Sequence, residues 1–378
     1  MKDEMTPDRD ADLARALRFL STTPLVDGHN DLPFLIRRDA GGDVQQYDLR
    51  HRAPKRDTDL PRLRAGRVAG QVWAAFVPPR EPQPASFALA QIALVHRMCE
   101  HHADALHFAT RADDVLEAHA MNRIASFVSI ENGTALEHRL DTLDAYHALG
   151  VRLITLCHNA TTDWCDSATD APRHGGLSAF GDTVIERMNR LGMIVDLSHT
   201  SDEVMMQALE RSRAPVVFSH SNARALCDHR RNVSDAVLDD ARRRGAVVMA
   251  TFVPDFISQR SKDWLMPFRD AYGKLREDID ASLAVEARER EAGRWPRGTL
   301  HQFCNHIDYL RAKMGPDGVG IGSDFFGGPQ GAGLEDASCF PSIVAELFAR
   351  GWSEEDMEKL VSGNFLRVMR EVEQEADV

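Results

Sequence analysis

Eight short apolar runs, most of them polar or charged at or near the C-terminal end, constrain this chain more than any other feature. They are TPLVDGHND (23–31), VAGQVWAAFV (68–77), RIASFVSIEN (123–132), VRLITLCHN (151–159), GMIVDLSH (192–199), APVVFSH (214–220), GAVVMATFV (245–253) and GVGIGSDFFG (318–327). Near-continuous apolar runs of this length fit strands covered on both faces. Longer helix-like stretches separate most of them, such as SDEVMMQALERSR (201–213) and VSDAVLDDARRRG (233–245). The latter opens on Ser234 as an N-cap and ends at Gly245 past a basic last turn. Strands alternating with helices imply parallel βαβ units. A doubly wound sheet would read similarly, but a (β/α)8 TIM-type barrel accounts for the polar strand ends. In a barrel, all C-terminal strand ends converge on one face, whereas an open sheet draws its chemistry from fewer strands near a switch point.

Residues 255–300 break the alternation with a long, charged, helical pattern. This reads as a helical insertion after the seventh strand, on or near the catalytic face, and a candidate lid or homodimer contact. No internal repeat or low-complexity linker divides the chain, so residues 1–378 read as one barrel domain. A hydrophobic fraction of 43% supports a large core. A formal net charge of −13 disfavours nucleic acid as a partner, since such binding needs a basic face. No apolar run is long enough for a membrane span. The charged N-terminal stretch lacks the apolar core of a signal peptide, and the tail REVEQEADV lacks that of a lipid-anchor signal. The expectation is a cytoplasmic protein. Its six cysteines, scattered without a CxxC pair, read as reduced thiols rather than zinc ligands.

The strand ends carry the chemistry. They offer His29 and Asp31, Glu131, His199 and His220, all suitable zinc ligands. Positions i and i+2 of a strand share a face, so His29 and Asp31 can address one ion. Five ligands exceed the three protein ligands of a single open catalytic zinc site. Two ions sharing a carboxylate use five, and such a pair can create and hold a hydroxide. Spacing leaves Glu131 and Asp31 both open as the bridge. His158 and Asp324 end two further strands, and Gly322, Gly327 and Gly328 would let backbone approach a ligand closely. Arg230 and Arg231, beyond the sixth strand, are candidate carboxylate receptors because a guanidinium can bind both oxygens. The histidines at 96, 101, 102, 107, 119, 138 and 147 lie in polar, helix-like stretches and read as surface or structural.

The chain resembles the renal (membrane) dipeptidase family of zinc peptidases, including its bacterial members. The matching stretches are VDGHNDLP, SIENG, LITLCHN, IVDLSHTS, VFSHS followed by RRNVSD, GIGSDFFG and the terminal GNFLRVMREVE, in family order over nearly the whole chain. The resemblance implies a (β/α)8 barrel with two zinc ions. It assigns His29, Asp31 and Glu131 to one ion and Glu131, His199 and His220 to the other, making Glu131 the bridge. It implies that His158 contacts the substrate carbonyl, that Arg231 receives the free carboxylate with Arg230 as its adjacent substitute, and that Asp324 is the acid/base. The implied reaction is hydrolysis of dipeptides by a hydroxide bridging the two zinc ions, with tolerance of a D-residue at the C-terminal position. Departures are the absence of the animal members' export, disulfide and anchor features, Asn132 where the best-known animal members carry glycine, and a longer 255–300 segment. Two other readings are a different binuclear-metal amidohydrolase of lactonase or deaminase type, and a metal-bearing binding protein without catalysis. The first would be indifferent to a free substrate carboxylate. The second has no use for His158, Arg231 and Asp324 together.

Overall fold

The computed structural model describes residues 7–54, 56–271, 288–289 and 291–376. Nine strands form one sheet: β1 (Leu25–Asn30), β2 (Val68–Phe76), β3 (Leu106–Phe108), β4 (Ile124–Glu131), β5 (Val151–Thr155), β6 (Ile194–Asp196), β7 (Val217–Phe218), β8 (Val247–Ala250) and β9 (Val319–Ile321). Eight run parallel in the order β1-β2-β4-β5-β6-β7-β8-β9, and β3 pairs with β4 off this path. The path turns back on itself where the Asp324 N–H donates to the His29 carbonyl (3.1 Å) and the Asp31 N–H to the Phe325 carbonyl (2.9 Å). The result is a nearly closed α/β barrel of TIM type.

All eight apolar runs become strands of that barrel. β3 is additional: it is three residues long, and no apolar run marks it. β6 and β7 are shorter than their runs: beyond them the Ser198 and Ser219 N–H groups bond to the Asp196 carboxylate and the His220 N–H to Ser198 Oγ. Strand alternation sorts side chains into two cores. Trp73, Val128, Ile154 and Val248 join the core that includes helix residues such as Val95, Val184 and Leu238. Val72, Phe127, Leu153, Val247 and Met249 fill the other, together with Phe365, Leu366 and Met369 of the C-terminal helix Asn364–Glu375. Each fully buried aliphatic or aromatic side chain contributes roughly 1.5–3 kcal/mol.

The expected helices form within narrower bounds. Asp202–Arg211 begins at Ser201, whose hydroxyl accepts from the Val204 N–H. Asp235–Arg243 begins after Ser234, which stands at the cap position without a side-chain capping bond. After β8, the barrel's seventh strand, come the helices Pro254–Ile257 and Gln259–Ala271, so the insertion is helical where it is described. Residues 272–287 and 290 of it lie outside the described residues. Trp295 ties its far end back through an Nε1–H bond to Ser261 Oγ (2.9 Å). The next barrel helix, Leu300–Met314, opens with a capping box between Thr299 and Gln302. All six cysteines are buried and unpaired. Among the described residues, no helix is long and apolar enough to cross a membrane.

Gly322, just past β9, sits where no side chain fits: a Cβ there would lie 1.8 Å from the Ser219 carbonyl oxygen. Gly322→Ala should therefore destabilise the fold by about 1–3 kcal/mol, the usual cost of overpacking a dense interior. The check is urea unfolding, where the midpoint should fall at unchanged slope. An unchanged midpoint would contradict this close approach.

Candidate active site

Every site residue expected from sequence lies at or beyond the C-terminal end of a strand. His29 is in β1, and Asp31 follows it at the N-cap of the helix Leu32–Ala40. Glu131 is the last residue of β4. His158, His199, His220 and Asp324 follow β5, β6, β7 and β9 within three residues. Three of these ends are backbone-strained: Asn132, His199 and Asp324 have φ of 95°, 71° and 61°. Non-glycine residues rarely adopt positive φ, and such strain persists only where surrounding contacts impose it. Asn132 is held by its own amide, which donates to the Val77 carbonyl and accepts from the Thr134 N–H. The His199 carbonyl accepts from the Ala168 N–H (2.8 Å).

These ends bring their donor atoms within a few ångströms of one another. His29 Nε2 lies 3.6 Å from Asp31 Oδ2 and 3.6 Å from Glu131 Oε2. Glu131 Oε1 lies 3.0 Å from His199 Nε2, 3.6 Å from His220 Nε2 and 3.8 Å from His158 Nε2. The two oxygens of Glu131 thus face two different sets of side chains. Among the described residues, three overlapping groups could each hold an ion: His29, Glu131 and His220; Glu131, His158 and His199; His29, Asp31 and Asp324. They contain all five expected ligands together with His158 and Asp324.

The cluster fits metal. Tetrahedral zinc with bonds of about 2.0–2.1 Å separates its ligand atoms by about 3.4 Å, the spacing seen here. Both ring nitrogens of His29 and the Oδ1 of Asp31 are buried without hydrogen-bond partners. Asp31, Glu131 and Asp324 are buried together, an arrangement that calls for added positive charge. Electrostatics reflect the crowding. Burial and the Asp31 charge raise the pKa of Glu131. Burial, with Asp31 and Glu131 nearby, pushes Asp324 up to about 8. Burial disfavours charge on His29, but Glu131 and Asp31 overcome it and hold the ring well above its ordinary value. Burial and then Arg231 hold His199 well below that value and take His158 down to about 3. Burial and then His29 hold His220 well below it.

The two arginines separate cleanly. Arg230 is exposed. Arg231 is buried, stands over the Phe256 ring, and donates from Nη2 to the His220 carbonyl (3.2 Å). Its Nε and Nη1 are buried without hydrogen-bond partners, and its charge is felt at Glu131, His158 and Asp324.

Sequence reasoning missed the residues that hold two of these imidazoles from behind. His199 Nδ1 meets Asn159 Oδ1 at 3.1 Å, and His220 Nδ1 meets Ser219 Oγ at 2.7 Å. Asp196 receives the Ser219 and Ser198 N–H groups. The available signal was polar residues inside buried runs: Asp196 in IVDLSH, Ser219 in FSH and Asn159 in LCHN.

The family model for membrane dipeptidases, peptidase family M19, matches residues 13–378. The chain belongs to the membrane dipeptidase family. It is 36% identical to "Dipeptidase 3" of Rattus norvegicus over 370 residues, which is 95% of this chain and 67% of that protein. It spans about two thirds of the rat relative's length. Among solved structures, the probable dipeptidase PvdM from Pseudomonas aeruginosa superposes with a TM-score of 0.84 at 27% identity, covering 98% of this chain and all of that one. The metallopeptidase dipeptidase AC, of family M19, superposes with a TM-score of 0.77 at 26% identity, over 93% of this chain and 99% of that one. This is a family of metallo-dipeptidases, and the metal-fitting cluster sits where a barrel enzyme carries its chemistry.

The dipeptidase-family site also explains two of its glycines differently from the sequence expectation. A Cβ on Gly327 would lie 2.0 Å from Asp324 Oδ1 and 2.8 Å from Asp31 Oδ2, whereas one on Gly328 would meet open space. Gly327 therefore makes room for the protein's own carboxylates. Gly327→Ala should weaken metal binding by about 10-fold or more, as disturbed ligand support does, and Gly328→Ala should leave it unchanged. Chelator competition measures both, and equal affinities in the two variants would refute this role for Gly327.

Proposed function

We propose that this chain is a zinc-dependent dipeptidase holding two zinc ions, with His29 and Asp31 serving one, His199 and His220 the other, and Glu131 bridging them. The observation that carries the reading is the divided carboxylate of Glu131, with Oε2 beside His29 and Oε1 beside His199 and His220. When bound, the ion pair supplies an acidified water and polarises the scissile carbonyl.

The remaining residues bind, orient and move protons. Arg231 takes the substrate's free carboxylate, for which its Nε and Nη1 offer buried N–H groups without protein partners. Its guanidinium carbon lies 5.4 Å from the centre of the Phe256 ring, a cation–π contact that helps to hold it in place. His158, neutral at working pH, donates an N–H to the carbonyl oxygen as it gains charge, an effect worth roughly 3–4 kcal/mol for a well-placed donor. Asp324, grouped with His29 and Asp31, would be held ionised by bound cations and so take the water's proton and pass it to the departing amine. A carboxylate receptor this close to the hydrolytic groups admits one residue beyond the scissile bond, hence dipeptides. Because carboxylate and carbonyl are recognised rather than the side chain, a D-residue is accepted at the C-terminal position. The six unpaired buried thiols support a cytoplasmic setting.

Rates on a matched set of substrates test this. A dipeptide should be cleaved, and its C-terminal amide and a tripeptide should be poor, with all activity lost to a chelator. Arg231→Ala should lower kcat/KM by at least about 10-fold, corresponding to 1.4 kcal/mol, while Arg230→Ala stays near wild type. Equal rates on acid and amide would favour a lactonase- or deaminase-type hydrolase. No hydrolysis at full metal content would leave a binding protein. Separately, Asp324→Asn should retain zinc and KM while kcat falls by about 10²–10⁴. Loss of zinc would make Asp324 a ligand, and an unchanged kcat would remove it from the chemistry.

A further inference from the structure

Asp196 is completely buried at the end of β6. Its carboxylate is saturated by donors. Oδ1 accepts the N–H of Ser198 (3.1 Å) and of Ser219 (2.8 Å). Oδ2 accepts the hydroxyls of Thr155 (2.5 Å) and Ser219 (2.6 Å). The Ser219 oxygen also lies 2.7 Å from His220 Nδ1. A serine hydroxyl has one proton. Asp196 offers only acceptors, so that proton points to Oδ2, and the contact with His220 must be made by an Nδ1–H donating to Ser219 Oγ. The lone pair of His220 is then left on Nε2, the nitrogen that faces Glu131 Oε1 and lies 2.9 Å from His199 Nε2.

We infer that Asp196 is a positioning residue that fixes the tautomer of His220 through the Ser219 hydroxyl, and so keeps Nε2 available to a metal ion. The inference rests on His220 being a ligand, as proposed above. Metal-binding histidines generally have their second nitrogen held in this way. Here the hold is relayed through a serine, which makes it reversible in sign. An internal comparison isolates the relay. Asp27 receives the same pair of groups from Ser323, its N–H at 2.7 Å and its hydroxyl at 2.6 Å. The other neighbours of that hydroxyl are the His29 carbonyl at 3.0 Å and the Phe325 N–H at 3.3 Å, with no imidazole bonded to it among the described residues. The bracket between β1 and β9 joins strands, whereas the one between β6 and β7 also orients a ring.

The relay predicts that Asp196→Asn does more than remove a charge. The asparagine amide would donate to Ser219 Oγ, the serine would turn its proton to His220 Nδ1, and the ring would be forced to the Nε2–H form, with its lone pair turned away from the metal. Ser219→Ala would merely release the ring to a mixture, and Ser219→Thr, which keeps the hydroxyl, would preserve the wild-type tautomer. Histidine-selective 15N NMR on metal-free protein at pH 8 reads this, with the His220 signal assigned by its loss in His220→Gln. Wild type and Ser219→Thr should show Nδ1–H, Asp196→Asn should show Nε2–H, and zinc affinity of Asp196→Asn should fall by about 10–100-fold. An Nε2–H ring in wild type, or an Nδ1–H ring retained in Asp196→Asn, would overturn the inference. Should Asp196→Asn fail to fold, a pure Nδ1–H ring in Ser219→Ala would overturn it equally. A tautomer switch with unchanged zinc affinity would support the relay and strike instead at His220 as a ligand.

Discussion

Three carboxylates, Asp31, Glu131 and Asp324, are buried together at the mouth of the barrel, and the buried guanidinium of Arg231 lies close enough for its charge to be felt at Glu131 and Asp324. Burying charge without compensation costs several kcal/mol per ion. The surrounding structure has to hold these groups close together in spite of that cost. It does so by anchoring each to a different strand end and by closing the barrel beside them, where the Asp324 and Asp31 N–H groups bond to the His29 and Phe325 carbonyls. The same bonds that complete the fold therefore set the spacing of the first and last site residues.

Behind the carboxylates lies a layer of hydrogen bonds that determines which way the imidazoles face. Asn159 and Ser219 hold the Nδ1 atoms of His199 and His220, and both rings present Nε2 to the same Glu131 oxygen. Strained backbone at Asn132, His199 and Asp324 belongs to the same economy of position. These residues turn side chains into a space that regular strand geometry would not reach, and the buried polar contacts around them keep the strain in place.

The fold was legible because a parallel strand covered on both faces must be apolar along its length, so its polar end stands out against it. All eight barrel strands follow from their apolar runs, and most of the site residues from the polar ends. The short β3 escaped this contrast because Leu106–Phe108 is an edge addition with only Leu106 fully buried. The candidate site was legible for the same reason, since convergence of strand ends is a property of the barrel rather than of any one motif. What spacing could not carry is register across strands. Asp196 bonds to Thr155 and Ser219 on its two neighbours, and nothing in IVDLSH indicates which residues those are. Nor could spacing separate Arg230 from Arg231, adjacent residues in a loop without periodicity. The inward turn of Arg231 depends on contacts with His229, His220 and Phe256 that exist only in three dimensions.

The central claim is that Glu131 joins two metal positions rather than completing one. Elemental analysis of protein purified without chelator, compared with His199→Ala, tests it most directly. The account predicts about two zinc ions per chain in the wild type, as a bridged two-metal site requires. It predicts about one in the variant, because His29, Asp31 and Glu131 remain to hold the other. Full hydrolytic activity with no more than one ion bound would contradict it.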